Sequence, residues 1–491
     1  MWKNEKIKNF NIGKVEAEAE KQDPRFADWF IDPFNLREKI NEGLFMITGR
    51  KGSGKSMFAH HLLVESETDE ELFVKVLDLE DIKIINEISE RTKSFISNVS
   101  LFKWFCLVNI TKMIVASQGA SQSIGYKKLK QFLETNSRVV DITKYRPVEI
   151  AEEFEKGLKF KALEQGFSFI KKHFSTHSRA SISELLPALD EIVSEVLKYQ
   201  DQQRFNYYLF LDDLDYDLTK EQSEKIDFIQ DMVNTVKSLK SKTLYKTKAN
   251  VVILLRNDIK RLVIGGPKNL FKTFKASSIN LNWYFQNTDN YTETPLFKFI
   301  NKRFCMQNFT NDIYCKEDDV IESIFDTSKN QVFQEIIKLT CYRPRDLIMF
   351  FSKWNGKDIT LKVDSREYNQ LVKSYVKDYF GELLDELSLL FSNINNSSIK
   401  SYLKDIYIKC KGGSHLLDYH ELTELCKTDL NLGTENEEFI KALVNYNVIS
   451  PHFKSFEVTF QEDEPADTFD LKDVKYNLHP AVYKFFLQLS N

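Results

Sequence analysis

The sequence predicts an α/β protein: an αβα core around a parallel sheet, carrying a helical insertion, a helical lid and a small C-terminal α+β module. Three observations carry this. Apolar runs at 44–48 (LFMIT), 207–211 (YYLFL) and 251–255 (VVILL) are uninterrupted, as expected of strands buried on both faces of a parallel sheet. The first run leads through a glycine-rich turn into 57–64, which lacks Gly and Pro and reads as a helix. The interval from Ser56 to Asp212, 156 residues, exceeds what a compact sheet needs between two strands, so a segment is inserted.

Taken in order, residues 1–40 form a charged leader in which Pro24 and Pro33 bracket an aromatic patch, Phe26, Trp29 and Phe30, suited to pack on the domain behind it. The core spans 41–290. After the first strand and helix, 72–77 alternates enough for a second strand. The insertion covers about 95–200. One helical stripe is Leu163, Phe167, Ile170 and Phe174; another is Ile182, Leu185, Leu189, Ile192 and Val196 behind the capping box Ser181-x-x-Glu184. Between the last two apolar strands, Ile226, Ile229, Val233 and Val236 repeat at helical spacing after Thr219-x-x-Gln222, which implies a right-handed crossover. The lid covers 291–380 and the C-terminal module 381–491, with helices over 418–426 and 436–446 and short strands at 456–460 and 476–478.

Length and composition narrow the class. At about 150 residues per domain, 491 residues suggest three domains. Gly and Pro total 26 and charged residues 29%, which excludes collagen-like and largely disordered chains. The formal charge of −4 gives no global basic field, so nucleic acid or an anionic membrane has to be argued locally. The polar N-terminus and the breaks at Lys103, Asn109 and Lys112 in the greasiest stretch argue against a signal peptide and a membrane span; a cytoplasmic protein is expected. Six cysteines (106, 305, 315, 341, 410 and 426) lack any C-x-x-C pair and are expected as thiols.

The chemistry concentrates in Gly49-Arg50-Lys51-Gly52-Ser53-Gly54-Lys55-Ser56, followed by Met57, which fits G-x-x-x-x-G-K-[ST] between a strand and a helix. Glycines let backbone N–H groups turn inward around phosphate oxygens, and the following helix adds its N-terminal partial charge. Lys55 would neutralise the β- and γ-phosphates and Ser56 would ligate Mg²⁺. The run ending in Asp212-Asp213-Leu214-Asp215 supplies the matching carboxylates, Asp212 for Mg²⁺ through water and Asp213 as general base. Arg256, at the end of the third apolar run, is placed to reach a γ-phosphate, the alternative being an ion pair with Asp258 or with an aspartate of 212–215. Arg345, or less favourably Arg343, opens a helix at Pro344 and could project onto the nucleotide, against a structural ion pair. Arg303 is a weaker candidate.

The set RKGSGKS, FLDDLD, ILLRND and YRPRDLI, over about 43–355, resembles bacterial P-loop ATPases allied to the AAA+ and STAND classes, including the origin-recognition type. The resemblance implies a five-stranded αβα core of the ASCE kind, Arg256 in the sensor 1 place, Arg345 in the sensor 2 place, and a C-terminal winged-helix module. It implies ATP as ligand with Mg²⁺, and a role as a regulatory or antiphage-defence switch. The chain departs from the pattern twice: Asp213 stands where Glu is commoner, and no arginine finger is assignable, so neither fast hydrolysis nor ring assembly is implied.

Two further readings belong beside this one. A nucleotide-binding assembly adaptor that scarcely hydrolyses fits the same motifs, and a DNA-engaging ATPase is the other rival. Against DNA, residues 381–491 hold 10 lysines, no arginine and 18 acidic residues, a net charge of −8, where a winged helix gripping a duplex should be basic. A protein partner or a second copy of the chain is the expected partner. The one basic stretch is Lys260, Arg261, Lys268, Lys272, Lys275, Lys298, Lys302 and Arg303, against Asp289 and Glu293, and reads first as a solvated face. A kinase is disfavoured because no Arg-rich lid accompanies the motif. The set Cys410, His415, His420 and Cys426 lacks the paired spacing of structural zinc sites, and His173/His177 lacks the Glu of a metalloprotease.

Overall fold

The computed structural model describes every residue except 1–5, 160–178, 215–221, 285–292, 310–323, 326–328, 392, 412–415, 431–434, 454–455, 458–469 and 491. The stripe at Leu163, Phe167, Ile170 and Phe174, the pair His173/His177, and Asp215, Thr219, Asp289, Cys315, His415 and the end of the 456–460 run lie outside the described residues. Two compact units emerge from the contacts, one of Asp32–Lys51 and Lys55–Leu281, the other of Met1–Ile31, Gly52–Gly54 and Asn282–Asn491.

The first unit is built on five parallel strands: β1 (Met46–Gly49), β2 (Leu72–Leu77), β3 (Asn206–Leu211), β4 (Ala249–Arg256) and β5 (Ser278–Asn280). Their spatial order is β2-β3-β4-β1-β5. Three were legible as apolar runs and β2 as an alternating one. The fifth was not, because three half-buried residues, Ser-Ile-Asn, carry no periodicity to detect. Strand alternation sorts the core into two layers. Tyr207, Leu209 and Leu211 join the cluster that includes the insertion, whereas Phe210 meets Phe58 edge-on at 5.8 Å and the Tyr208 hydroxyl donates to Asn41 Oδ1 at 2.7 Å.

Helices flank this sheet. They include α1 (Lys55–Glu65), α2 (Leu79–Thr92), α3 (Asn98–Ser117), α4 (Ile182–Leu197), α5 (Gln222–Ser241) and α6 (Asn257–Gly265). Ser181 caps α4 and Glu184 returns the bond, as the capping box predicts, and the whole stripe from Ile182 to Val196 is buried. Among the described residues α3 alone is long and apolar enough to cross a membrane. It packs on α4 and α5 instead and buries Trp104, Phe105 and Leu107, which makes it the core helix of the insertion.

In the second unit the leader strand Lys6–Lys8 lies antiparallel between Asn308–Phe309 and Ile359–Thr360. Phe26 and Trp29 are buried, and Arg303 on α7 (Pro295–Cys305) sits over the rings of Trp29 and Phe299 at 4.9 and 4.7 Å. Its guanidinium bonds Glu20 at 2.5 Å and the Ile12 carbonyl at 2.7 Å. Then follow α8 (Pro344–Phe351), α9 (Ser365–Leu390), α10 (Asn396–Cys410), α11 (Tyr419–Asp429) and α12 (Asn436–Asn445), a three-stranded antiparallel sheet, and α13 (Pro480–Ser490). The central strand of that sheet, Ile449–Phe453, escaped the sequence reading because Pro451 argues against an interior strand. Cys410 and Cys426 are buried thiols, and no group of His, Cys, Asp and Glu able to hold a metal occurs among the described residues.

Arg303 is 0% and Glu20 2% exposed, so removing one partner strands a buried charge. Glu20→Ala is expected to lower the melting temperature by on the order of 10 °C, and Glu20→Leu with Arg303→Met to recover most of it. Equal melting of the single and double variants would show that the pair is not what holds the leader.

Candidate functional site

Register levels the strand ends in two pairs. Gly49 pairs with Arg256 across β1 and β4, and Leu77 with Leu211 across β2 and β3. The segments after β1, β3 and β4 therefore leave from one edge of the sheet, where ligands bind in open α/β folds.

At that edge the glycine-rich segment turns sharply. Gly52 and Gly54 have φ of +82° and +96°, values that a Cβ would strain. Gly54 has nothing within 4 Å of the place a Cβ would take, so conformation alone requires glycine there. Lys55 opens α1, and its Nζ donates to the carbonyls of Gly49 at 3.1 Å and Arg50 at 3.0 Å. Ser53 Oγ is buried without a hydrogen-bond partner, Lys51 is exposed, and Ser56 and Met57 are half-buried in the first turn of α1.

Asp212 extends the β2–β3 ladder through its N–H to the Leu77 carbonyl at 3.0 Å. Its side chain, only 6% exposed, takes a hydrogen bond from Ser56 and one from the Asp213 N–H at 2.9 Å. Burial pushes the Asp212 carboxyl above the usual range, and the Ser56 bond, the Asp213 amide, the Lys55 ammonium and His60 pull it back. His60 is one residue the sequence reading missed. It is buried on α1, and its signal was the i, i+4 spacing from Ser56. Asp213 is exposed and left-handed at φ +55°, a conformation Asp tolerates better than most residues.

A hydroxyl and a carboxylate in contact form a hard-oxygen pair suited to Mg²⁺, which prefers one or two protein oxygens plus waters and phosphate. Asp212, Ser56 and Lys55 thus come together at this edge of the sheet.

The arginines do otherwise. Arg256 caps α6 and forks onto Asp258, Nη2 to Oδ2 at 2.7 Å and Nε to Oδ1 at 3.2 Å, the ion-pair alternative. Arg345 sends its guanidinium to Glu382 at 3.0 and 3.1 Å. Arg343 pairs with buried Asp346. In the basic stretch, Arg303 is consumed by Glu20, Lys268 bonds Asp231 at 2.7 Å, and Lys302 donates to the Phe30 carbonyl at 2.9 Å.

The raised Asp212 carboxyl has a definite pH signature. Folding favours its protonated form, so its destabilising effect is absent below about pH 4 and grows as pH rises through the folded-state value. Asp212→Asn keeps the acceptor oxygen and removes the charge. In metal-free buffer at pH 7–8 it is expected to melt above the unaltered protein, with the gap closing toward pH 4. A variant that melts lower throughout contradicts this account.

No protein-family model matches the chain, and a search of curated proteins returns no match.

Proposed function

We propose that the chain is an ATP-binding, Mg²⁺-dependent P-loop ATPase that works as a conformational switch. The observation that carries the reading is the hydrogen bond between Ser56, at the start of α1, and Asp212, at the end of β3, with Lys55 beside them. These are the groups a triphosphate and its cation require, and they come from positions 156 residues apart. These residues are the ones in the sequence patterns that resemble AAA+ and STAND ATPases.

In this mechanism the glycine-rich loop binds the phosphates through main-chain amides. Lys55 exchanges the carbonyls of Gly49 and Arg50 for phosphate oxygens, and Ser56 and Asp212 hold the cation. A Mg²⁺ ion held by Ser56 and Asp212 would neutralise charge that develops in phosphoryl transfer. Asp213 accepts a proton from the attacking water. An exposed carboxylate one methylene shorter than glutamate is a less effective base, so turnover is slow. The resemblance to AAA+ and STAND ATPases implies ATP rather than GTP, in keeping with a sequence that holds no N/T-K-x-D guanine-reading motif. The partner is a protein or a second copy of this chain. The acidic 381–491 region and the engaged side chains of Lys268, Lys302 and Arg303 speak against nucleic acid.

Lys55→Ala is expected to weaken nucleotide binding at least about tenfold in equilibrium binding with labelled ATP. Unchanged affinity sinks the proposal. Asp213→Asn should retain ATP and lose about 10²-fold or more of phosphate release. If the unaltered protein releases negligible phosphate and both proteins assemble equally with ATP, the adaptor reading replaces the enzyme.

A further inference from the structure

Two donors fix the peptide planes at the tip of the glycine-rich loop. The main-chain N–H of Arg345 donates to the Gly52 carbonyl at 3.3 Å, and the buried indole of Trp283 donates from Nε1 to the Ser53 carbonyl at 2.8 Å. All four residues belong to the same compact unit. In a trans peptide the C=O of one residue and the N–H of the next point in opposite directions. Holding the Gly52 carbonyl therefore aims the Ser53 N–H away from Arg345, and holding the Ser53 carbonyl aims the Gly54 N–H away from Trp283. Successive amides held in fixed planes are what a backbone anion site is built from.

The close approach is built into the sequence. A Cβ on Gly52 would lie 2.8 Å from Arg345 Cβ and 3.0 Å from its Cδ, so only glycine lets the Arg345 stem cover the loop. The guanidinium meanwhile is engaged by Glu382. Trp283 is held in turn: it is 6% exposed and meets Phe299 edge-on at 5.9 Å.

We propose that Trp283 and the Arg345 main chain are positioning groups for phosphate binding, acting by orienting the Ser53 and Gly54 amides rather than by touching the nucleotide. The inference rests on the P-loop reading above. It gives Arg345 a role through its amide that differs from the side-chain role expected of a sensor, and it assigns one to Trp283, which no motif singles out.

The test uses the full chain with Trp283→Phe, which keeps an aromatic ring and removes the Nε1 donor. Affinities for MgATP and for magnesium tripolyphosphate are measured by calorimetry, and adenosine by competition, beside Lys55→Ala. The expected result is a loss of about fivefold for both phosphate ligands, the factor one ordinary hydrogen bond corresponds to, with adenosine unchanged. A general packing defect would weaken adenosine as well. If Lys55→Ala loses affinity and Trp283→Phe stays within twofold of the unaltered protein, the positioning role is overturned while the P-loop reading stands. If neither variant changes affinity, both fall. Should Trp283→Phe fail to fold, Trp283→Met, a flexible apolar side chain that likewise has no hydrogen-bond donor, is judged by the same factors.

Discussion

A carboxyl group almost shut off from water, hydrogen-bonded to the first-turn hydroxyl of a helix, is the constraint around which the parallel sheet is organised. Burying Asp212 is unfavourable by itself, and it is tolerated because Ser56, the Asp213 amide and the Lys55 ammonium converge on it. That convergence follows from the register on β4, which lies between β1 and β3: Gly49 ends β1 opposite Arg256, and Leu211 ends β3 opposite Ile253, three residues earlier along β4. A slip of one residue in the β3–β4 ladder would turn Asp212 to the opposite face of the sheet and part it from Ser56.

The arginines follow one rule. Each guanidinium singled out by its motif position has found a carboxylate: Arg256 with Asp258, Arg343 with Asp346, Arg345 with Glu382 and Arg303 with Glu20. A charge that loses water must gain a counter-charge, and in an acidic chain carboxylates are close at hand. The first two pairs are local and were legible as alternatives. The partner of Arg345 lies 37 residues on, and that of Arg303 lies 283 residues back, which no spacing argument reaches.

The helical insertion shows the same division. The capping box at Ser181 and the stripe behind it specified α4, because each depends on neighbours within one or two turns. Which surfaces those helices cover depended on the whole. The apolar length of α3 suits a bilayer by composition, and it is the packing of α4 and α5 around it that makes it a core helix. Strand Ile449–Phe453 is the converse case, since Pro451 spoke against a strand that its two neighbours nonetheless complete.

By itself the sequence determined what short-range physics controls. Apolar runs made three of the five core strands and alternation a fourth, left-handed glycines made the loop at 52 and 54, and a lysine and serine were set at the head of a helix. Tertiary structure alone decided what depends on distance through space. It brought Asp212 to Ser56, added His60 beside them, gave Arg345 to Glu382, and set Trp283 against the loop carbonyl. Hydrogen bonds and ion pairs are made within about 3 Å whatever the separation along the chain, so their partners exist only once the sheet and its loops are in place.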